Sequence, residues 1–296
     1  MGYFVISERV SNVTENGSMT AHPRGVVRAA LVLCWREIIR FFRQRNRVIG
    51  AVGTPLVFWL LFGAGLDQSF RLSLAGGDEQ GFREYFFPGT VVLILMFTAI
   101  FTSISIIEDR REGFLQSVLV SPLPRGAMVI GKVLGGTLIA LFQGLVFCLL
   151  ALLLPQTSFT GTSLVFLVLL MFVVSVALNA MGYVLAWRMD STQGFHAIMN
   201  LLLMPMWLLS GSFFPIPALG SASWGVLHWI MKLNPLTYGV TGVRHLMFDL
   251  SSLPSSDQSF WSPRLTTCWI VSALFAAVAL VLACRVSESR TTGGAA

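Results

Sequence analysis

The sequence predicts an all-α polytopic membrane protein: six transmembrane helices, an amphipathic interface helix ahead of the first, and a re-entrant helical hairpin between the fifth and sixth. Three observations predict it. Of 296 residues, 55% are hydrophobic and only 11% are charged, less than half the share a soluble domain carries. The mean hydropathy is +0.74, which excludes intrinsic disorder and argues against a soluble enzyme. The third observation is a series of apolar segments long enough to cross a bilayer, which takes about 20 residues each.

The expected spans are 48–66, 86–107, 133–155, 162–187, 195–219 and 265–284, with charges excluded from their centres. Residues 1–23 are polar and do not read as a signal peptide, residues 24–285 form the membrane domain, and residues 286–296 form a tail. Lys and Arg alternate by loop, with fifteen on the side of the termini against five on the other. The positive-inside rule then places both termini in the cytoplasm, and the sequons at Asn12 and Asn16 go unused. A pI near 9.6 belongs here to the membrane orientation and not to nucleic acid.

Residues 24–47 are too charged to span. Val27, Leu31, Cys34, Trp35, Ile38, Ile39 and Phe42 fall on one helical face, with Arg28, Arg36, Arg40, Arg43 and Arg47 largely off it. This reads as a helix lying in the membrane interface, its arginines suited to anionic lipid, or as a rim helix beside a cytoplasmic partner. Between spans two and three, Glu108–Arg125 holds a short apolar helix around Leu115, Val118, Leu119 and Val120, ended by Pro122 and Pro124. An apolar edge in such a place needs cover, from a partner or from the rest of the chain. Past span five, two apolar arms flank Asn234-Pro235. One carries Trp224, Leu227, Trp229, Ile230 and Leu233, and the other is Leu236–Leu250. Each is too short to span and too apolar for open water, so a re-entrant or interfacial pair is expected.

Chemistry-bearing motifs are sparse. Gly126 to Val133 imitates a GxxxxGK phosphate loop, but Val133 stands where the magnesium-holding Ser/Thr belongs and no strand precedes it. No nucleotide site is expected in this chain. The four cysteines lack metal or disulfide spacing. His228, His245 and Asp249 are the only candidates for a metal or acid–base cluster, which an integral-membrane lipid-modifying enzyme would need. Asp190 reads as a solvated loop end. Gln143 and Asn179 read as interhelical hydrogen-bonding residues. With no charge mid-membrane and no internal repeat, an ATPase-independent carrier or channel is the weaker alternative. Uphill transport would need energy from another polypeptide.

That combination resembles the permease subunits of ABC-2-type ABC exporters, closest to those of drug and nodulation-factor exporters. The resemblance runs from about Arg24 to Arg285. It rests on the basic amphipathic helix; on Glu108, Glu112-Gly113, Leu115, Leu119, Ser121-Pro122-Leu123 and Gly131-Lys132; and on Leu209-Ser210-Gly211, Phe213-Phe214-Pro215, Leu233-Asn234-Pro235-Leu236-Thr237-Tyr238 and Arg244. It departs at Gly113-Phe114-Leu115-Gln116, where the family often has Gly-Thr-Leu-Glu. The resemblance implies that Glu108, Glu112, Gly113, Leu115, Leu119, Ser121 and Pro122 form the coupling segment that docks on a cytoplasmic ABC ATPase present in two copies. It implies a second permease copy, identical or a paralogue, and contact with membrane lipid. It implies a re-entrant hairpin marked by Asn234, Pro235, Tyr238 and Arg244. A substrate pathway along spans two and five would include Phe97, Phe101, Met204 and Trp207. No cofactor is expected on this chain; ATP and magnesium belong to the partner.

Overall fold

The computed structural model describes residues 23–66, 71–73, 79–120, 124–154, 160–217, 225–248 and 261–289. In chain order the helices are α1 (Pro23–Arg43), α2 (Arg45–Leu66), α3 (Phe82–Arg111), α4 (Phe114–Val120), α5 (Arg125–Cys148), α6 (Gly161–Arg188), α7 (Thr192–Trp207), α8 (Gly225–Leu233), α9 (Pro235–Phe248) and α10 (Leu265–Ser289). Six of them, α2, α3, α5, α6, α7 taken with its continuation to Ser212, and α10, are long and apolar enough to cross a membrane. Six membrane-crossing helices are present as expected, and the chain is a multi-pass membrane protein.

The structure departs from expectation in three respects. The all-helical reading missed a two-stranded antiparallel hairpin, β1 (Arg71–Ser73) with β2 (Glu79–Gly81), between α2 and α3. It is too short for alternation to be legible. Helices α3 and α5 begin or end well outside the uncharged windows, so Glu84, Asp109 and Lys132 lie within them and are buried. Helix α7 stops at Trp207 and continues only as a π-turn, Leu208–Ser212, in place of running to Leu219. Pro205 removes a backbone donor near this turn, and Gly211 takes a left-handed φ of 77° that an L side chain would resist.

Helix α3 is the axis of the molecule: 83% of its most apolar window is buried, against 22% for α2 and 28% for α10. Helices α2, α5, α6 and α7 pack around it, α10 lies against α6, and α1 lies along α5. Apolar burial alone does not order helices in lipid, so small residues and polar pairs carry the specificity. Thr98 Oγ1 on α3 donates to Gln143 Oε1 on α5 at 2.5 Å, and Thr102 Oγ1 donates to Asn179 Oδ1 on α6 at 2.9 Å. The interhelical reading of Gln143 and Asn179 is met. Helix α1 approaches α5 over Gly131 and Gly135. A Cβ at Gly131 would sit 2.7 Å from the Ala30 carbonyl oxygen, and one at Gly135 would sit 2.9 Å from Glu37 Cβ.

Candidate functional site: a charge cluster beneath the short helix

Helix α1 exposes Val27, Leu31, Trp35, Ile39 and Phe42 of the expected stripe along one side. Leu33, Cys34, Glu37 and Phe41 turn inward, so Cys34 leaves the predicted stripe. Glu37 is the sole acid in α1, and it is 4% exposed. Arg36, Arg40 and Arg47 also turn inward, which corrects their placement toward lipid. The arginines meet the carboxylates at the end of α3.

Asp109 lies at the centre, fully buried. The Arg36 guanidinium grips it with two parallel hydrogen bonds of 2.7 and 3.1 Å. Lys132 Nζ on α5 donates to Asp109 Oδ2 at 2.5 Å and to Glu37 Oε1 at 2.8 Å. Arg40 donates to Asp109, to Glu108 Oε2 at 2.9 Å and to Glu112 Oε1 at 3.3 Å. Arg47, at the start of α2, donates to Glu108. Arg36, Arg40, Arg47 and Lys132 thus balance Glu37, Glu108, Asp109 and Glu112. That neutrality is why Glu37, Asp109 and Lys132 can be buried: the desolvation of each is offset by paired, hydrogen-bonded partners. Contact with Asp109 holds the Arg36 guanidinium in its charged form, above its ordinary pKa.

The cluster fixes four elements to one another, because α1, α2, α3 and α5 each contribute a side chain. The short helix α4 hangs directly from it. Glu112 closes α3, and Gly113 with φ of 75° turns the chain into α4. Arg36 stacks its guanidinium over the Phe114 ring at 3.8 Å. The neighbouring loop is tied in as well. Arg110 donates to the carbonyls of Trp187 and Met189 at the end of α6 and to Asp190. Arg111 donates to the Asp190 carbonyl. Asp190 is solvated as expected, with its side chain 83% exposed, but it also anchors this loop.

The predicted coupling residues divide. Glu112 presents an exposed carboxylate, and Glu108 is partly covered by its arginines. Gln116 and Ser117 are exposed. Leu115 is 3% exposed and belongs to the core, so the expected apolar edge is covered there by the chain itself. Ser121 and Pro122 lie outside the described residues, as does the Leu119 side chain. Sequence reasoning missed Arg36, Glu37, Arg40, Arg47, Asp109 and Lys132 as one unit. The available signal was Glu37, a single acid on the side of α1 opposite its apolar stripe.

At the other end of the bundle, the Leu233–Tyr238 motif builds a corner. Asn234 N-caps α9, its Oδ1 accepting from Leu236 N at 3.1 Å, and Pro235 occupies the first helical position. Thr237 and Tyr238 reach back to donate to the final carbonyls of α8, Met231 at 2.6 Å and Lys232 at 2.9 Å. Asn234 Nδ2 also donates to Met206 on α7. Arg244 donates to the Gly211 carbonyl at 2.9 Å and to the Tyr85 carbonyl at 3.2 Å, and stacks over the Tyr85 ring. The motif's side chains therefore join α8, α9, the π-turn and the start of α3. An Asn234→Ala change removes the cap and the bond to α7. The expected loss is about 1–2 kcal/mol, read as a lower melting temperature in detergent; an unchanged melt refutes the capping role.

The candidate pathway residues separate too. Trp207 is buried, and its Nε1 donates to the Gly89 carbonyl at 2.8 Å. Trp207 and Met204 line an open apolar recess of about 480 Å³ shared with Phe58 and Phe62 of α2. Phe97 and Phe101 are half-buried and do not line it; Phe101 packs edge-on against His196.

No metal cluster occurs among the described residues. His228 is buried and bonded to the Pro217 carbonyl at 2.7 Å, whereas His245 bonds the Pro263 carbonyl at 3.1 Å. Burial holds His245 below its usual pKa, reinforced by Arg244 and opposed by that carbonyl bond. Asp249 lies outside the described residues. The two histidines serve separate loop contacts and do not converge.

The fold and its contacts define a multi-span membrane protein whose polar groups are spent on joining helices. Residues 28–248 match the family described as ABC-2 type transporter, and the chain belongs to it. It is 25% identical to the transport permease ycf38 of Cyanophora paradoxa over 98% of this chain and 99% of that protein. It is 24% identical to the inner membrane transport permease YadH of Escherichia coli K12, over 76% of this chain and 85% of that one. It is also 24% identical to a multidrug ABC transporter permease, YbhR, of the same organism, over 66% and 52% of the respective chains. The chain is a membrane transport subunit.

Proposed function

We propose that this chain is the transmembrane subunit of an ATP-driven exporter, moving an amphipathic or lipid-linked substrate outward with energy from a separate ATPase. Drug, glycolipid and lipo-oligosaccharide share that chemistry. The observation that carries the reading is the neutral charge cluster beneath α4. It makes a seven-residue helix continuous, through Glu112 and Gly113, with the most buried helix of the bundle. A push on α4 is passed to α1, α2, α3 and α5 together. Two ATPase subunits, carrying ATP and magnesium, would close and press on α4 in each of two permease copies. Both termini are cytoplasmic in this arrangement, as the loop charges favour. Helices α8 and α9 form the re-entrant hairpin on the far side, and the recess at Met204 and Trp207 opens to substrate.

Glu112→Arg tests the reading, because this exposed carboxylate makes only the 3.3 Å contact to Arg40 in the cluster. The variant should fold, yet lower substrate-stimulated ATP turnover and export by about tenfold or more in the reconstituted complex. Leu119→Asp should do the same. Normal export by both would remove α4 as the coupling element. Cysteines placed at Ser73 and Ser117 should react with an impermeant maleimide from outside and only from inside, respectively; the reverse pattern overturns the orientation.

A further inference from the structure

The charge cluster consumes Arg36, Arg40 and Arg47, and this sorts the arginines of the first two helices. Arg28, Arg43 and Arg45 stay exposed and form no ion pair with described residues. Their setting is specific. Val27, Leu31, Val32, Trp35, Ile39 and Phe42 are 41–63% exposed and make one stripe along α1, opposite the face that meets α5. Arg28 sits within that stripe at one end and Arg43 at the other, separated by about 22 Å along the axis. Arg45 follows after the single-residue break at Gln44 and opens α2, a candidate span. The acid of α1, Glu37, is buried on the opposite side, and Glu108, Asp109 and Glu112 are held by other cations. The exposed face of α1 therefore presents aromatic and aliphatic side chains with cations at its ends and, among the described residues, no competing carboxylate.

We infer that this face is a binding surface for anionic phospholipid headgroups, with Arg28 clamping one end of α1 and Arg43 with Arg45 clamping the other. Two points favour lipid as the occupant. The stripe runs without a loop into a helix that enters the bilayer, which puts Phe42, Arg43 and Arg45 at the headgroup level. Long arginine side chains also extend from an apolar stripe to phosphate, and each contributes attraction to an anionic leaflet. The inference depends on the chain being a multi-pass membrane protein and not on the ATPase coupling.

The test is native mass spectrometry of the full chain, purified in mild detergent and offered equimolar phosphatidylglycerol and phosphatidylcholine. Wild type should retain phosphatidylglycerol in preference by about tenfold or more. Arg28→Gln/Arg43→Gln/Arg45→Gln should abolish the preference, and the three Arg→Lys changes should keep most of it. Arg188→Gln, which removes another exposed arginine at the end of α6, should leave it intact. Inorganic phosphate at 10 mM (about a tenth of an ordinary ionic strength) should not displace the lipid. Wild type without a preference overturns the inference whether or not the triple variant folds. So does a triple variant that keeps its lipid and loses an associated protein instead, which would make the face a protein-docking surface.

Discussion

Lys132→Met should lower the melting temperature of the detergent-solubilised chain by roughly 10 °C. Lys132 Nζ lies 2.8 Å from Glu37 and 2.5 Å from Asp109, with its side chain 3% exposed. Removing the cation leaves the cluster one negative charge in excess where water has little access. Breaking a buried pair from one side costs about 3–5 kcal/mol, far above the gain from the better hydrophobicity of methionine. Adding Glu37→Gln restores neutrality and should recover most of the loss. A single variant that melts like wild type would show that charge balance does not hold α1 to α3 and α5. A double variant no better than the single one would assign the loss to packing.

Gly135→Leu should separate α1 from α5. The first added carbon meets Glu37 Cβ at 2.9 Å and the Cys34 carbonyl at 3.2 Å, and both belong to the facing helix and its backbone. Overpacking of this kind costs about 1–3 kcal/mol, and here α1 is the movable partner. Cys34 reports the separation. It is 6% exposed, and burial, assisted by the Glu37 charge, raises its thiol pKa. In a chain whose other three cysteines are alanine, Cys34 should be inert to maleimide in the parent and reactive after Gly135→Leu. Equal inertness in both would mean that the contact yields locally without releasing α1.

What the sequence revealed was what composition windows measure. Six apolar runs were visible as spans because each exceeds the bilayer's length requirement on its own. The short helix after Gly113 was visible because Pro122 and Pro124 bound it. The charge cluster was not, because its pairs join Arg36 to Asp109 and Glu37 to Lys132, and no local pattern connects residues so far apart. Arg36, Arg40 and Arg47, read as suited to anionic lipid, are internal because carboxylates arrive from another helix. Leu115 shows the same limit in reverse: its apolarity suggested a partner, and the chain's own core covers it. The Asn234-Pro235 corner was legible in kind, since an N-cap followed by proline has one use, but Thr237 and Tyr238 reaching back to α8 required the fold.

The most direct measurement is a mild-detergent pull-down of the full chain from its native membrane, with quantitative mass spectrometry of what accompanies it. Recovery of a nucleotide-binding ATPase subunit in a one-to-one ratio, reduced by Glu112→Arg and by Leu119→Asp, is the expected result. A chain that purifies alone and monodisperse, in wild type as in both variants, would contradict it.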